Sequence, residues 1–245
     1  MAGITVSPAQ IAQFDALAAR WWDEGGPMRS LHQMNPVRVR WVAERILRRS
    51  ATPTYTAAMP ARRNPEILDI GCGGGVAAEA FARRGFDVLG LDAAPGTIDA
   101  ARAHAAGKGL PLAYRTGLAE DLQAEGAQFP VVTALEVIEH VPDPRAFLAT
   151  LATLLAPGGR LFVSTLNRTP QSFLAAKIGA EYLLRWLPIG THDWRHFVTP
   201  AELGAMLREV GLRVIDITGL RVHPLIGQWN TSRDVSINYI IAAGN

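Results

Sequence analysis

Apolar and polar positions follow two different periods along this chain. From residue 66 onward, short apolar runs recur with helix-period segments between them. Glu66–Ile70, Phe86–Asp92, Leu112–Arg115, Phe129–Glu136, Arg160–Thr165, Leu212–Thr218 and Val235–Ala242 read as seven strands. The run after Gly75, Ala93–Lys108, a short piece near Leu118–Gln123, Pro144–Leu155 and Pro200–Val210 read as helices. Strand–helix alternation of this kind predicts an α/β fold, a mostly parallel sheet with helices on both faces.

The first 63 residues carry no strand signal. Ser7-Pro8 opens a helix to about Trp22, with Ile11, Phe14, Leu17, Ala18 and Trp21 on one face. Gly25-Gly26-Pro27 breaks it, and Leu31–Pro36 reads as a loop. Asn35-Pro36 then opens a second helix, with Val37, Trp41, Ile46 and Leu47 for packing and Arg38, Arg40, Arg45, Arg48 and Arg49 exposed. Both helices lie outside the alternating pattern, so they are expected to form a lid. Residues 50–65 hold three prolines and read as a linker. The expected division is therefore a lid and linker over 1–63 and a ligand-binding domain over 64–245.

The chemistry concentrates where the first strand ends. Glu66-Ile67-Leu68-Asp69-Ile70 runs into Gly71-Cys72-Gly73-Gly74-Gly75, and a helix-favouring segment follows. Glycines let the chain turn sharply and let a ligand rest on the main chain, and the next helix offers unpaired N–H groups. Asp92 ends the second strand, 21 residues after Gly71. A carboxylate at about that spacing grips ribose hydroxyls in Rossmann-like sites. The plainer alternative is a cap on the helix beginning near Pro95. Asp69 narrows the ligand. A carboxylate there repels the pyrophosphate of NAD but suits the ammonium of S-adenosylmethionine (SAM). It could instead bond the turn's own N–H groups.

Composition adds limits. The chain is 245 residues long, 49% hydrophobic and 19% charged, which supports a sizeable core and argues against disorder. Its single cysteine, Cys72, cannot form an internal disulfide, so a reducing compartment is expected. Within the turn it reads as a small residue rather than a nucleophile. With no signal-like or membrane-spanning apolar stretch in the sequence, the expectation is a cytoplasmic protein, at most peripheral on the inner membrane. Residues 1–63 carry nine Arg against four Asp and Glu, whereas residues 64–125 carry five Lys and Arg against nine acids. The basic end suits an acidic membrane surface or an anionic substrate, and equally a solvated face. Nucleic acid is disfavoured, because the basic residues are sparse and no binding module is present.

The Pro157-Gly158-Gly159 turn leads directly into the fifth strand. With Asp69 and Gly71–Gly75 it resembles the Rossmann-like class I SAM-dependent methyltransferases, whose seventh strand enters antiparallel. More local stretches narrow the likeness: Trp21-Trp22-Asp23, Leu31-His32-Gln33-Met34-Asn35-Pro36-Val37-Arg38, Glu136-Val137-Ile138-Glu139-His140-Val141-Pro142-Asp143-Pro144, and Ser164-Thr165-Leu166-Asn167-Arg168. These resemble the O-methyltransferases of ubiquinone biosynthesis over nearly the whole chain. The resemblance implies a polyprenylated catechol or demethylubiquinol substrate, an association with other enzymes of ubiquinone biosynthesis, and SAM contacts at Arg38, Gly71, Asp92 and Leu135; Asp69 and Gly73, at the glycine turn, are the further cofactor-binding candidates. The family often has Met where this chain has Leu135, and Ala93-Ala94-Pro95-Gly96 departs from its commoner pattern.

Glu136, Glu139 and His140 follow the fourth strand and are the catalytic candidates. Two carboxylates with an imidazole suit Mg²⁺, Mn²⁺ or Zn²⁺, and the resemblance implies a divalent metal here. The alternatives are His140 as a metal-free general base, or structural carboxylates. Finally, Leu174, Ile178, Tyr182 and Trp186 recur every four residues within an insert at about 168–195, flanked by Arg168, Lys177 and Arg185. Such a basic amphipathic helix fits a membrane surface or a lid over the core.

Overall fold

A computed structural model describes residues 6–50, 65–174, 194–223 and 227–245. Eight strands are described: β1 Glu66–Ile70, β2 Asp87–Asp92, β3 Leu112–Thr116, β4 Phe129–Leu135, β5 Leu155–Leu166, β6 Arg213–Val222, β7 Trp229–Ser232 and β8 Asn238–Gly244. They form one sheet in the order β3-β2-β1-β4-β5-β8-β6-β7. β1 to β5 pair in parallel. β8 enters antiparallel between β5 and β6, so the antiparallel last strand is as expected.

The strand the sequence pattern missed is β7. Trp229-Asn230-Thr231-Ser232 has one large apolar residue and pairs only with β6, so no alternation marks it. The Pro157-Gly158-Gly159 turn lies inside β5. There the register against β4 jumps from Phe129–Leu155 to Val131–Arg160, so the expected turn is a bulge within a continuous ladder.

The helices are α1 Pro8–Asp15, α2 Arg29–Ser50, α3 Val76–Ala82, α4 Pro95–Ala105, α5 Ala119–Ala124, α6 Pro144–Thr153 and α7 Pro200–Glu209. Apolar side chains pack on both faces of the sheet. Leu68, Phe147, Leu151 and Leu207 belong to one cluster, and Val39, Trp41, Val42, Phe81 and Phe162 to the other. α2 therefore supplies core, which differs from its reading as pure lid.

Two helix boundaries also moved. α1 stops at Asp15, and a short 3-10 turn, Ala18–Arg20, precedes Trp21. α2 starts at Arg29 and carries Pro36 inside it. Proline favours the first turn of a helix, which is why the pattern placed the start there. Burial of Met34 and Asn35, and a bond from Asn35 Nδ2 to Val76 O at 2.9 Å, hold the earlier turns in place. The linker at 51–64 and residues 175–193 of the amphipathic insert lie outside the described residues.

β1 sits between β2 and β4, where the strand order reverses. The carboxyl ends of strands flanking such a point open a crevice for ligands. Leu68, at the centre of β1, is fully buried. Leu68→Ala should lower unfolding free energy by about 2–5 kcal/mol in urea titration, with the m-value unchanged.

Candidate active site

The glycine turn is clamped from the neighbouring strand. Gly71 N and Cys72 N both donate to Leu91 O, at 2.8 and 3.1 Å. Gly73 N donates to Asp92 Oδ2 at 2.8 Å, and Ala94 N to Asp92 Oδ1 at 2.9 Å. Asp92 thus ties the end of β2 to the turn. It does not cap α4, whose N-cap is Ala94. Burial raises its pKa, against the bonds from Ala94 and Gly73. Gly71 adopts φ +65°, and a Cβ there would lie 2.5 Å from Val137, so backbone conformation and space both require glycine.

Asp69 does not bond the turn. Its Oδ1 accepts from Thr133 Oγ1 at 2.6 Å, across the β1–β4 pair. Burial lifts its pKa to about 6, against the Thr133 bond and the Arg38 charge. Arg38, expected on the exposed face of its helix, is 3% exposed. Its Nε donates to Asn35 Oδ1 at 3.2 Å. Burial lowers its pKa, while Glu136, Asp69 and Glu139 act in the other direction. Among the described residues, Asp69 Oδ2 and Arg38 Nη1 are buried without hydrogen-bond partners. Such atoms cost about 1–3 kcal/mol each when left unmade, and one acceptor with one cationic donor matches the ammonium and carboxylate of an amino acid.

Past β4, Glu136 takes φ 59°, the described non-glycine residue with positive φ. Strain of this kind persists where surrounding bonds fix it. Glu136 N donates to Ser164 O at 3.0 Å, and its carboxylate accepts from Ser164 Oγ at 2.6 Å and Asn238 Nδ2 at 3.0 Å. Glu139 accepts from Thr165 Oγ1 at 2.9 Å, and burial, then the Glu136 charge, pushes its pKa well up. His140 turns to α1 instead. Its Nδ1 lies 3.5 Å from Gln10 Nε2, and its ring meets Phe14 edge-on at 5.5 Å.

The three catalytic candidates thus face different partners. No group of three His, Cys, Asp or Glu able to hold a metal is found among the described residues. In this structure the three expected ligands have different neighbours: Glu136 bonds Ser164 and Asn238, Glu139 bonds Thr165, and His140 lies beside Gln10 and Phe14 of α1. Leu135 ends β4 and is buried, as is Cys72, whose thiol burial pushes well up in pKa. A buried neutral thiol suits a turn residue.

Sequence reading missed the residues that hold the acids. Ser164 and Thr165 are polar positions inside a buried strand, which was a usable signal. Thr133 was another. Asn238 begins β8 and lies next to Glu136 only through the sheet, so nothing local marked it.

Comparison with known proteins defines the class first. A family model described as a methyltransferase domain matches residues 40–217. The magnesium protoporphyrin IX methyltransferase of Synechocystis with bound S-adenosylhomocysteine (SAH) superposes with a TM-score of 0.65, at 20% identity, over 97% of this chain and 99% of that one, which shows a shared fold. Nearer relatives are the ubiquinone biosynthesis O-methyltransferases of Methylobacterium nodulans, 47% identical over 98% of this chain and 96% of that protein, and of Dinoroseobacter shibae, 48% identical over the same shares. The chain belongs to the ubiquinone biosynthesis O-methyltransferase family, within the SAM-dependent methyltransferases.

Asp69 generates a prediction with a definite sign. Its folded pKa, about 6 against 3.8, means that the folded state binds its proton more tightly than the unfolded chain. Its favourable contribution is complete below about pH 4 and is lost as pH rises through about 6. Two units correspond to about 3 kcal/mol. Asp69→Asn should therefore melt higher than wild type at pH 7.5, with the gain vanishing at pH 4, in thermal scans at both values.

Proposed function

We propose that this enzyme transfers a methyl group from SAM to a catechol-type hydroxyl of a polyprenylated ubiquinone precursor. The observation that carries it is the Asp69–Arg38 pair of orphaned atoms beside the clamped glycine turn, in a chain of this family. In this reading Arg38 takes the SAM carboxylate with its guanidinium fork, and Asp69 takes the ammonium. Asp92 accepts from the ribose hydroxyls with its remaining lone pairs. Gly71 and Gly73 meet the cofactor with main-chain atoms, their Cα faces being covered by Val137 and Trp21, and Leu135 packs beside it.

When bound, SAM supplies an electrophilic sulfonium methyl. The protein must then aim the oxygen in line with it and remove the oxygen's proton. A phenol of pKa ~10 is about one part in a thousand ionised at pH 7, and overcoming that is worth up to ~4 kcal/mol. His140, at the lid boundary, is assigned the role of general base. Glu136 and Glu139 hold the end of β4 against β5 and β8, and so set the position of His140. No step is assigned to a metal.

The deciding experiment is a mass shift of one methyl on a short-chain prenyl catechol incubated with SAM. Wild type should produce it. Asp92→Ala should weaken SAM binding at least tenfold by calorimetry, since each charge-assisted bond is worth ~1.5–3 kcal/mol. His140→Ala should lower kcat with SAM affinity retained. An unmethylated catechol would overturn the substrate reading, and unchanged SAM affinity in Asp92→Ala would remove that assignment.

A membrane contact is the second reading. Phe173 and Leu174, where the amphipathic insert begins, are large apolar side chains 48% and 58% exposed. Among the described residues no helix is long and apolar enough to cross a membrane, so the contact would be peripheral. A polyprenyl substrate remains in the bilayer, and basic residues beside an anionic surface contribute ~1 kcal/mol each. Wild type should co-sediment with anionic liposomes and release at high salt, and Ile178→Asp with Trp186→Asp should stay in the supernatant while binding SAM normally.

A further inference from the structure

Trp21 packs directly on the glycine turn. Its indole lies so close to the Gly73–Gly74 backbone that a Cβ on either glycine would overlap the ring. The residue is 5% exposed, and its Nε1 has no hydrogen-bond partner among the described residues. A buried indole N–H ordinarily finds an acceptor, so this donor is set out for something. The segment around it is well fixed. Trp22 Nε1 donates to Gly74 O at 2.9 Å, and the Trp22 ring stacks on His104 at 3.3 Å. Trp21 O lies 2.8 Å from His32 Nε2, and Phe14 covers the indole at 6.2 Å.

The other orphaned groups of the site belong to the same neighbourhood. Arg38 is tethered to Asn35, and Asn35 to Val76 O. Val76 in turn packs in one cluster with Trp21 and Met28. Asp69 sits two residues before Gly71. Around this turn, then, stand two unmatched donors, Arg38 Nη1 and Trp21 Nε1, and one unmatched acceptor, Asp69 Oδ2. An α-amino acid zwitterion needs that complement: donors for its carboxylate, an acceptor for its ammonium.

We propose that Trp21 Nε1–H donates to the cofactor carboxylate beside Arg38, so that the lid itself reads the amino-acid end of the cofactor. This rests on the SAM reading above. The donor is satisfied only when that carboxylate is present, which couples seating of the lid segment 18–22 to occupancy of the site. A nucleoside without the amino acid leaves the indole unmatched.

The test compares SAH, which carries the carboxylate, with 5′-methylthioadenosine, which lacks it. Trp21→Phe keeps a ring on the glycines and removes the N–H. Its SAH Kd should rise roughly tenfold, the loss of one bond to a charged group, while its methylthioadenosine Kd stays within about twofold of wild type. In ¹⁵N-labelled wild type, the Trp21 indole resonance should move on addition of SAH and not of methylthioadenosine, which decides the matter even if the variant folds poorly. Equal losses for the two ligands, no loss for either, or an indole resonance that SAH leaves in place would overturn the proposal alone. A wild type that binds neither ligand overturns the SAM reading and this proposal with it.

Discussion

The bond from Gly73 N to Asp92 Oδ2 is the constraint on which the rest of the site depends. The glycine turn has almost no side chains of its own to fix it. It is held by carbonyl and carboxylate oxygens at the end of β2, Leu91 O for Gly71 and Cys72 and Asp92 for Gly73. With the turn fixed, α3 starts at Val76 and Asn35 finds the Val76 carbonyl. Through Asn35 the turn also sets Arg38. The end of β2 thus holds the turn, and through it the helix that follows and the basic group tied to that helix.

The site accepts an electrostatic cost to do this. Asp69, Arg38 and Glu139 are buried, and the charges of Glu136, Asp69 and Glu139 all act on Arg38. Burial is the largest influence on Asp69, Arg38 and Glu139 alike, opposing the charged form in each. Buried charges in such a group destabilise the empty fold unless fully bonded, and they suit a ligand that arrives with the complementary charges. The neighbouring ion cluster on α3 shows the contrast. Burial also presses on Glu79, but Lys108, Arg83 and His104 bond it directly and hold its pKa below the usual range. That cluster is complete without a ligand; the Asp69–Arg38 group is not.

The strand–turn–helix at Glu66–Ala82, the ribose-spaced Asp92 and the order of the central elements were legible in the sequence, because each is a local signal: an apolar run, glycines, a carboxylate at fixed spacing. So was the choice of Asp69 as a charge beside the turn, though not its bond to Thr133. What stayed hidden depended on who packs against whom. Arg38 reads as one of several helix arginines, and only the docking of α2 on α3 buries it. β7 has no alternation of its own and exists because β6 offers it an edge.

The sequence by itself determined the fold class, the glycine turn and the acids around it, since backbone freedom, hydrophobic period and charge are properties of short segments. The tertiary structure decided what those acids do. Glu136, Glu139 and His140 lie within five positions of one another, which made a shared metal site a reasonable expectation. Their bonded partners differ: Ser164 and Asn238 for Glu136, Thr165 for Glu139, and Gln10 with Phe14 of α1 beside His140. Closeness in sequence fixes which residues are near a site. Backbone direction and the partners contributed by distant strands fix where each side chain points.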